Sequence, residues 1–284
     1  MRGRFAPSPT GVLHLGNLRT ALLAWLFARS SGSGFLMRIE DLDVGRVRSS
    51  FVAEQLDDLA AIGLDWDEPV LVQSERSAIY ASALSSLDVY ECFCTRAEIR
   101  SAASAAHGPV GTYPGTCRSL SDADRARFRA LGREPALRVR ADGGSVTFED
   151  RLLGRVSGVV DDFVVRRNDG AYAYNLAVVV DDAASGVEEV VRGADLVDST
   201  PRQIWLARAL GLPVPAYAHV PLVLGPDGRR LAKRHGDVTL RSVTPGDAVA
   251  WMASSLGLPP ARTASALVDA FDPSALPREP TVFR

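Results

Sequence analysis

Between Arg4 and Gly63 the chain alternates twice between a short apolar stretch and a helix-period run, and this order limits the fold more than any other feature. Arg4 to Pro9 reads as a short strand ending in a Pro-rich loop, where Thr10, Gly11 and Gly16 surround His14. Leu18 to Ala28 then reads as a helix entered through a tight loop. Phe35 to Asp41 (FLMRIED) is an apolar strand ending in carboxylates, followed by a helical pattern from Ser50 to Ile62 that Gly63 closes. Strands separated by helices in this way pair in parallel, so the expected class is α/β with a parallel βαβ sheet.

From Tyr90 the pattern changes. A Cys-containing segment, a Gly/Pro-rich stretch at Gly108 to Gly115 and a helix at Asp122 to Leu131, capped by Ser121, read as an insertion. Ala136 to Ala141, Asp161 to Arg167 and Ala171 to Asp182 are expected to be strands, the last two joined by a hairpin turn at Asn168-Asp169-Gly170. Val187 to Leu196 reads as a strand returning to the sheet, and Thr200-Pro201 opens an amphipathic helix through Leu210. A turn at Pro226-Asp227-Gly228 precedes a basic loop, and helices are expected at Gly246 to Leu256 and Ala264 to Phe271.

A chain of 284 residues holds one large or two modest domains, and 46% hydrophobic with 23% charged residues excludes a disordered or fibrous class. The net charge of -2 gives no global field to attract polyanions, so a nucleic-acid partner needs a local patch. Arg96, Arg118 and Arg202 are scattered candidates for one. No run reaches the roughly 18 apolar residues of a membrane span, and the start MRGRFAPSPTG lacks a signal-peptide core, so a soluble, cytoplasmic protein without a membrane partner is expected. Of 32 basic residues one is lysine, Lys233, which marks that position as needing a lysine. Cys92, Cys94 and Cys117 are an odd number in one short region, which argues against a disulfide framework and leaves a metal site or buried free thiols.

His14-Leu15-Gly16-Asn17 lies between a strand and a helix, where free backbone N–H groups and the helix dipole attract phosphate. A neutral His donates to a phosphoryl oxygen, and Gly16 lets a flat base approach the backbone. Alone, the string reads first as a capped loop with an incidental histidine. Arg230-Leu231-Ala232-Lys233-Arg234 follows a Gly-containing turn, and its lysine is a mobile point charge suited to leaving-group phosphates, though a solvated basic tip has the same composition. Order and spacing favour the functional reading of both: a His-x-Gly loop after the first strand, a long insertion, and a basic loop after the last strand. His219 and His235 read as exposed or packed residues.

Arg4-Phe5-Ala6-Pro7-Ser8-Pro9-Thr10-Gly11, His14 to Asn17, Arg38-Ile39-Glu40-Asp41, Asp195 and Ser199 to Gln203 together resemble the glutamyl branch of the class I aminoacyl-tRNA synthetases, and Arg230 to Arg234 looks like its KMSKS loop. Asn17 stands where the HIGH pattern ends in His, and Arg230, Ala232 and Arg234 replace three residues of KMSKS. The resemblance implies a Rossmann-type parallel sheet with a zinc-bearing α+β insertion and a small C-terminal helical region. Its expected divisions are a catalytic first half at 1–89, the insertion at 90–186, the catalytic second half at 187–236 and a helical stem-contact remnant at 237–284. Such a length leaves no room for an anticodon-binding domain and matches short paralogues that attach glutamate to queuosine in the anticodon of tRNA(Asp).

The same resemblance implies partners and site residues. L-glutamate, ATP with Mg2+ and tRNA(Asp) carrying queuosine are the expected partners of a monomer. Arg4, Ala6, Ser8, Glu40, Tyr174 and Arg192 form the implied glutamate pocket, His14, Gly16, Asn17 and Lys233 the ATP site, with His14 and Lys233 catalytic as phosphate donors. Arginines suit the carboxylates of glutamate and Glu40 its α-ammonium. Cys92, Cys94, Tyr113 and Cys117 are the implied structural Zn2+ ligands, with His107 as the competing fourth donor on chemistry alone. Two further readings stand beside activation: a truncated glutamyl-tRNA synthetase charging an acceptor end, and a non-catalytic tRNA- or nucleotide-binding module.

Overall fold

The structure, a computed structural model, describes residues 2–95, 97–99, 112–231 and 238–283. Lys233, Ala232, Arg234, His235, Arg96 and His107 lie outside them.

Strand β1 (Arg2–Phe5), helix α1 (Leu15–Arg29), strand β2 (Gly34–Ile39), helix α2 (Ser49–Ala61) and strand β3 (Asp67–Val72) form the expected parallel unit, in sheet order β1-β2-β3, and helix α3 (Ser77–Ser85) comes after it. Helix α1 is apolar nearly all round, with eleven of its residues buried, because it is enclosed by the core rather than laid on its surface. Gly63 closes the turn after α2 at φ 86°, a conformation that a side chain would strain.

A second sheet contains β9 (Glu189–Gly193) and β10 (Ala216–Val220), parallel and in register from Ala216 opposite Glu189 to Val220 opposite Gly193. The Glu188 N–H donates to the Arg2 carbonyl at 2.9 Å, and Arg4 donates to the Val191 carbonyl at 3.3 Å, which sets β1 beside β9 and brings the two halves together. Helix α6 (Thr200–Ala209) connects β9 to β10 and starts with Pro201 in its first turn, as its sequence predicts.

Between these halves, β4 (Val89–Cys92), β5 (Ala136–Val139) and β8 (Val164–Arg166) make a separate antiparallel sheet. Helix α4 (Asp122–Ala130) lies between β4 and β5 in the chain, and Ser121 caps it through the N–H of Asp124 at 3.2 Å. The hairpin of β6 (Ser145–Asp150) and β7 (Gly154–Val159), which the apolar alternation does not announce, joins β10 instead.

Two expected elements differ. The stretch Ala171 to Asp182 turns at 168–170 as predicted and makes one antiparallel bridge, Tyr172 to Arg166, but continues as helix α5 (Tyr174–Ala184) rather than a strand. Leu176 to Val180 are all buried, so burial on every side satisfies either period and the β-branched run does not decide between them. Ala264 to Phe271 does not form an α-helix. It makes a 3-10 turn at Ser265–Leu267, because Pro273 follows too soon for a helix to outweigh its nucleation cost. Gly246 to Leu256 is helical as expected, observed as α7 (Pro245–Ser255).

Helix α5 ends in the carboxylates that hold the two halves. Asp181, fully buried, accepts from Gln73 Nε2 and Tyr80 Oη at 2.8 Å each and from Arg76 Nε at 2.7 Å. Asp181→Asn leaves Arg76 and the fully buried Arg38 short of a counter-charge, and the expected loss is about 3–5 kcal/mol of stability, read as a lowered denaturation midpoint. Among the described residues no helix is long and apolar enough to cross a membrane.

Candidate active site

The cavity lies at the carboxyl ends of β1, β2 and β9, where an open α/β sheet places its ligands. Its volume is about 810 Å³, and Arg4, Ala6, Ser8, His14, Gly16, Asn17, Glu40, Tyr174 and Arg192 all line it. Residues from four distant stretches of sequence therefore meet at one place.

His14 is the N-cap of α1. Its Nδ1 accepts the Asn17 N–H at 3.3 Å, and Asn17 Oδ1 accepts the His14 N–H at 3.3 Å, a reciprocal capping box. This gives Asn17 a reason to be asparagine: its amide oxygen closes the cap. Because Nδ1 is an acceptor, the neutral ring carries its proton on Nε2, the tautomer that donates. Gly16 is required by the same loop, since a Cβ there would lie 3.1 Å from the His14 ring and 3.3 Å from Val223. The Pro-rich loop is pinned from behind by Gln55, whose Nε2 donates to the carbonyls of Ser8 at 3.2 Å and Gly11 at 2.6 Å.

At the other end, buried Arg4 and Arg38 share Asp182, at 3.4 and 2.6 Å. Arg38 also donates to Glu40 at 3.1 Å. Burial pushes the Asp182 carboxyl up, but Arg38 and Arg4 outweigh it and hold the group below the usual carboxylate range. Glu40 is shifted upward, because burial outweighs the same two arginines. A cation arriving beside Glu40 favours its ionised form, as the α-ammonium of an amino acid would.

Arg192 differs from both. It is 5% exposed, donates to Tyr174 Oη at 3.2 Å, Thr200 Oγ1 at 2.7 Å and His219 Nε2 at 3.1 Å, and has no carboxylate within ion-pair distance among the described residues. A buried guanidinium with neutral partners is a receptor for an anion. Tyr174 reaches it from the first turn of α5 and not from a strand. Asp195, near the mouth, pairs with Arg230 at the start of the basic loop.

Sequence reasoning missed Asp181, Asp182, Gln55, Asp150 and the buried role of His219. The adjacent carboxylates closing an apolar run were the available signal for the first two; nothing local marks the others.

The cysteine cluster stands apart, at the end of β4, whose last residue is Cys92. The sulfurs of Cys92, Cys94 and Cys117 lie within 4.8 Å of one another, and Cys94 to Cys117 is 3.5 Å. Tetrahedral zinc bound at its usual distance to sulfur requires edges of about 3.8 Å. The Tyr113 Oη is 3.4 Å from Cys92 and 3.8 Å from Cys94, distances compatible with a fourth donor to such a shell. It also accepts the Cys117 N–H at 2.8 Å, and Arg138 lies 3.7 Å from the ring centre. The clustered donors titrate together: contact with Cys94 pulls the Cys92 thiol down, while burial and the same contacts push Cys94 and Tyr113 up, so one thiolate is favoured before the others. The donor set thus fits Zn2+.

The family model for class I tRNA synthetases (E and Q), catalytic domain, matches residues 1–251. The chain is 61% identical to a glutamyl-Q tRNA(Asp) synthetase of Nocardia farcinica, over 99% of this chain and 92% of that protein. It is 48% identical to a glutamyl-Q tRNA(Asp) synthetase of Symbiobacterium thermophilum, over 98% and 94%. Among solved structures, a glutamate tRNA ligase of Elizabethkingia meningosepticum in complex with its amino acid superposes with a TM-score of 0.83 at 27% identity, covering all of this chain and 67% of that one.

Proposed function

Because this chain belongs to the class I tRNA synthetase family for glutamate and glutamine, we propose that it activates L-glutamate with ATP in the absence of tRNA and transfers the glutamyl group to queuosine in the anticodon of tRNA(Asp). The observation that carries the amino-acid assignment is Arg192, a buried cation that lines the cavity and has only neutral partners among the described residues. The side-chain carboxylate of glutamate supplies the missing anion. An amide in its place leaves the guanidinium unpaired, which disfavours glutamine on the order of 10⁴-fold.

In this reading Glu40 holds the α-ammonium and Arg4 frames the pocket beside Ala6 and Ser8. The glutamate α-carboxylate attacks the α-phosphorus of ATP, forming a new P–O bond while the bond to the β-phosphate breaks and pyrophosphate leaves. No protein nucleophile is needed, so catalysis is positioning and charge stabilisation. His14, as the Nε2–H tautomer at the N-terminus of α1, and Lys233 donate to the phosphates, and Gly16 and Asn17 shape the nucleotide loop. ATP enters as its Mg2+ complex, which neutralises pyrophosphate charge. A hydroxyl of the queuosine cyclopentenediol then attacks the activated carbonyl and AMP departs. Zn2+ on Cys92, Cys94, Tyr113 and Cys117 would be structural.

Glutamate-dependent ATP–pyrophosphate exchange without tRNA tests the first step. Exchange is expected with glutamate and only as a trace with glutamine or aspartate, and Lys233→Ala is expected to lower it about a hundredfold. Absence of exchange from zinc-replete, active-site-titrated protein rejects tRNA-independent activation and favours a binding module. Transfer to tRNA(Asp) with and without queuosine tests the second step: acceptance of both forms points instead to acceptor-end charging.

A further inference from the structure

Asp150 and His219 lie behind the cavity, 4% and 0% exposed, with no part in the chemistry assigned above. His219 on β10 sits in register with Arg192 on β9, while Asp150 ends the neighbouring strand β6. The imidazole Nδ1 is 2.6 Å from Asp150 Oδ2, and its Nε2 is 3.1 Å from Arg192 Nε and 3.0 Å from Thr200 Oγ1.

The partners dictate the proton positions. A guanidinium N–H only donates, so Nε2 must turn its lone pair toward Arg192, and the proton of the neutral ring sits on Nδ1, donated to Asp150. A charged ring would set two donors face to face. Burial lowers the affinity of His219 for a second proton, and Arg192 adds to this, together outweighing Asp150.

We infer that Asp150 and His219 are positioning residues for amino-acid selection: the neutral imidazole orients Arg192 without neutralising it, and Asp150 selects the tautomer that does so. This rests on the glutamate activation proposed above. A carboxylate in direct contact with Arg192 would orient it equally well but would form an internal ion pair that the substrate must displace. With the imidazole interposed, the Asp150 carboxylate stands one ring away, and no carboxylate among the described residues lies within ion-pair distance of Arg192 to compete with the ligand.

The identity of Asp150 is fixed by its other contacts. Its Oδ1 accepts the N–H groups of Leu152 and Leu153 at 2.9 Å each. In Asp150→Asn the amide oxygen stays with those donors and the NH2 group turns to His219. The ring proton is then driven to Nε2, where it opposes the Arg192 N–H.

The experiment is pyrophosphate exchange by titrated wild-type, Asp150→Asn and His219→Glu enzymes with glutamate and with glutamine, alongside ¹⁵N-histidine NMR of the wild type and of Asp150→Asn. For Asp150→Asn the KM for glutamate is expected to rise roughly tenfold to a hundredfold, the cost of one misdirected hydrogen bond to a charged group. Its kcat changes less, and residual glutamine activity is unaltered. His219→Glu, by neutralising Arg192, narrows the glutamate-to-glutamine ratio further. A purely structural role reduces active enzyme and leaves that ratio unchanged, which overturns the inference. In the NMR arm wild-type His219 is expected neutral with its proton on Nδ1, and a charged or Nε2–H ring there overturns it whether or not the variants fold. If the wild type shows no glutamate exchange, the proposed function fails separately, while the tautomer still decides the relay.

Discussion

Arg192→Met is expected to lower kcat/KM for glutamate in pyrophosphate exchange on the order of 10³-fold while leaving the trace reaction with glutamine nearly unchanged. Removing one member of a buried charge pair costs about 2–5 kcal/mol, because the other is left desolvated without its partner. Here the abandoned member is the substrate carboxylate, so the loss falls on one amino acid. Methionine keeps much of the volume, and Thr200 and His219 retain each other as partners at 3.0 Å. Equal losses with both amino acids would show that Arg192 supports the cavity without reading the ligand.

Removal of zinc carries the other large effect. Cys117→Ser, or exhaustive chelation, is expected to take bound zinc from one per chain to none and to withdraw on the order of 10 kcal/mol from the folding of the insertion. The β4-β5-β8 sheet is small, and its satellite core is Tyr90, Cys92, Tyr113 and Cys117, which are mostly the proposed ligands themselves. Metal analysis and hydrogen exchange across residues 89–95 and 112–118 provide the readout. Protein that carries no zinc yet keeps these amides protected would remove the metal from the account. Tyr113→Phe separates the fourth donor from the rest: loss of affinity without loss of the three thiolates assigns the phenol oxygen to the metal.

The parallel unit was legible from run length and punctuation. Phe35 to Ile39 is a short apolar run into carboxylates, while Leu18 to Ala28 is too long an apolar run for one strand and follows a Gly-containing loop, and both appear as read. The His14 loop was legible as a site because the cap and its glycine are consecutive in sequence. What escaped was whatever depends on contact at long range. Asp181 and Asp182 receive arginines from positions 4, 38 and 76, partners that no spacing rule connects. The helix that carries them was read as a strand because its Val178-Val179-Val180 run favours extended backbone until complete burial overrides that preference. The β6-β7 hairpin was invisible for a simpler reason. Its sequence, SVTFED then GRVSGV, is too polar on its exposed face to stand out.

Counter-charges supplied by helix α5 have a consequence for how such enzymes diversify. Asp181 and Asp182 belong to the stretch that also contains the cysteine cluster, yet they neutralise guanidinium groups from β1, β2 and the 3-10 turn after β3. The middle of the chain is therefore no exchangeable cassette. Swapping residues 90–186 wholesale for the equivalent stretch of a relative transplants half of an ion-pair network, and the graft succeeds only where donor and host agree on these two carboxylates. Cutting before Tyr172 leaves this network with its host, and donor and host must then still agree on Asp150 and the hairpin that pairs with β10.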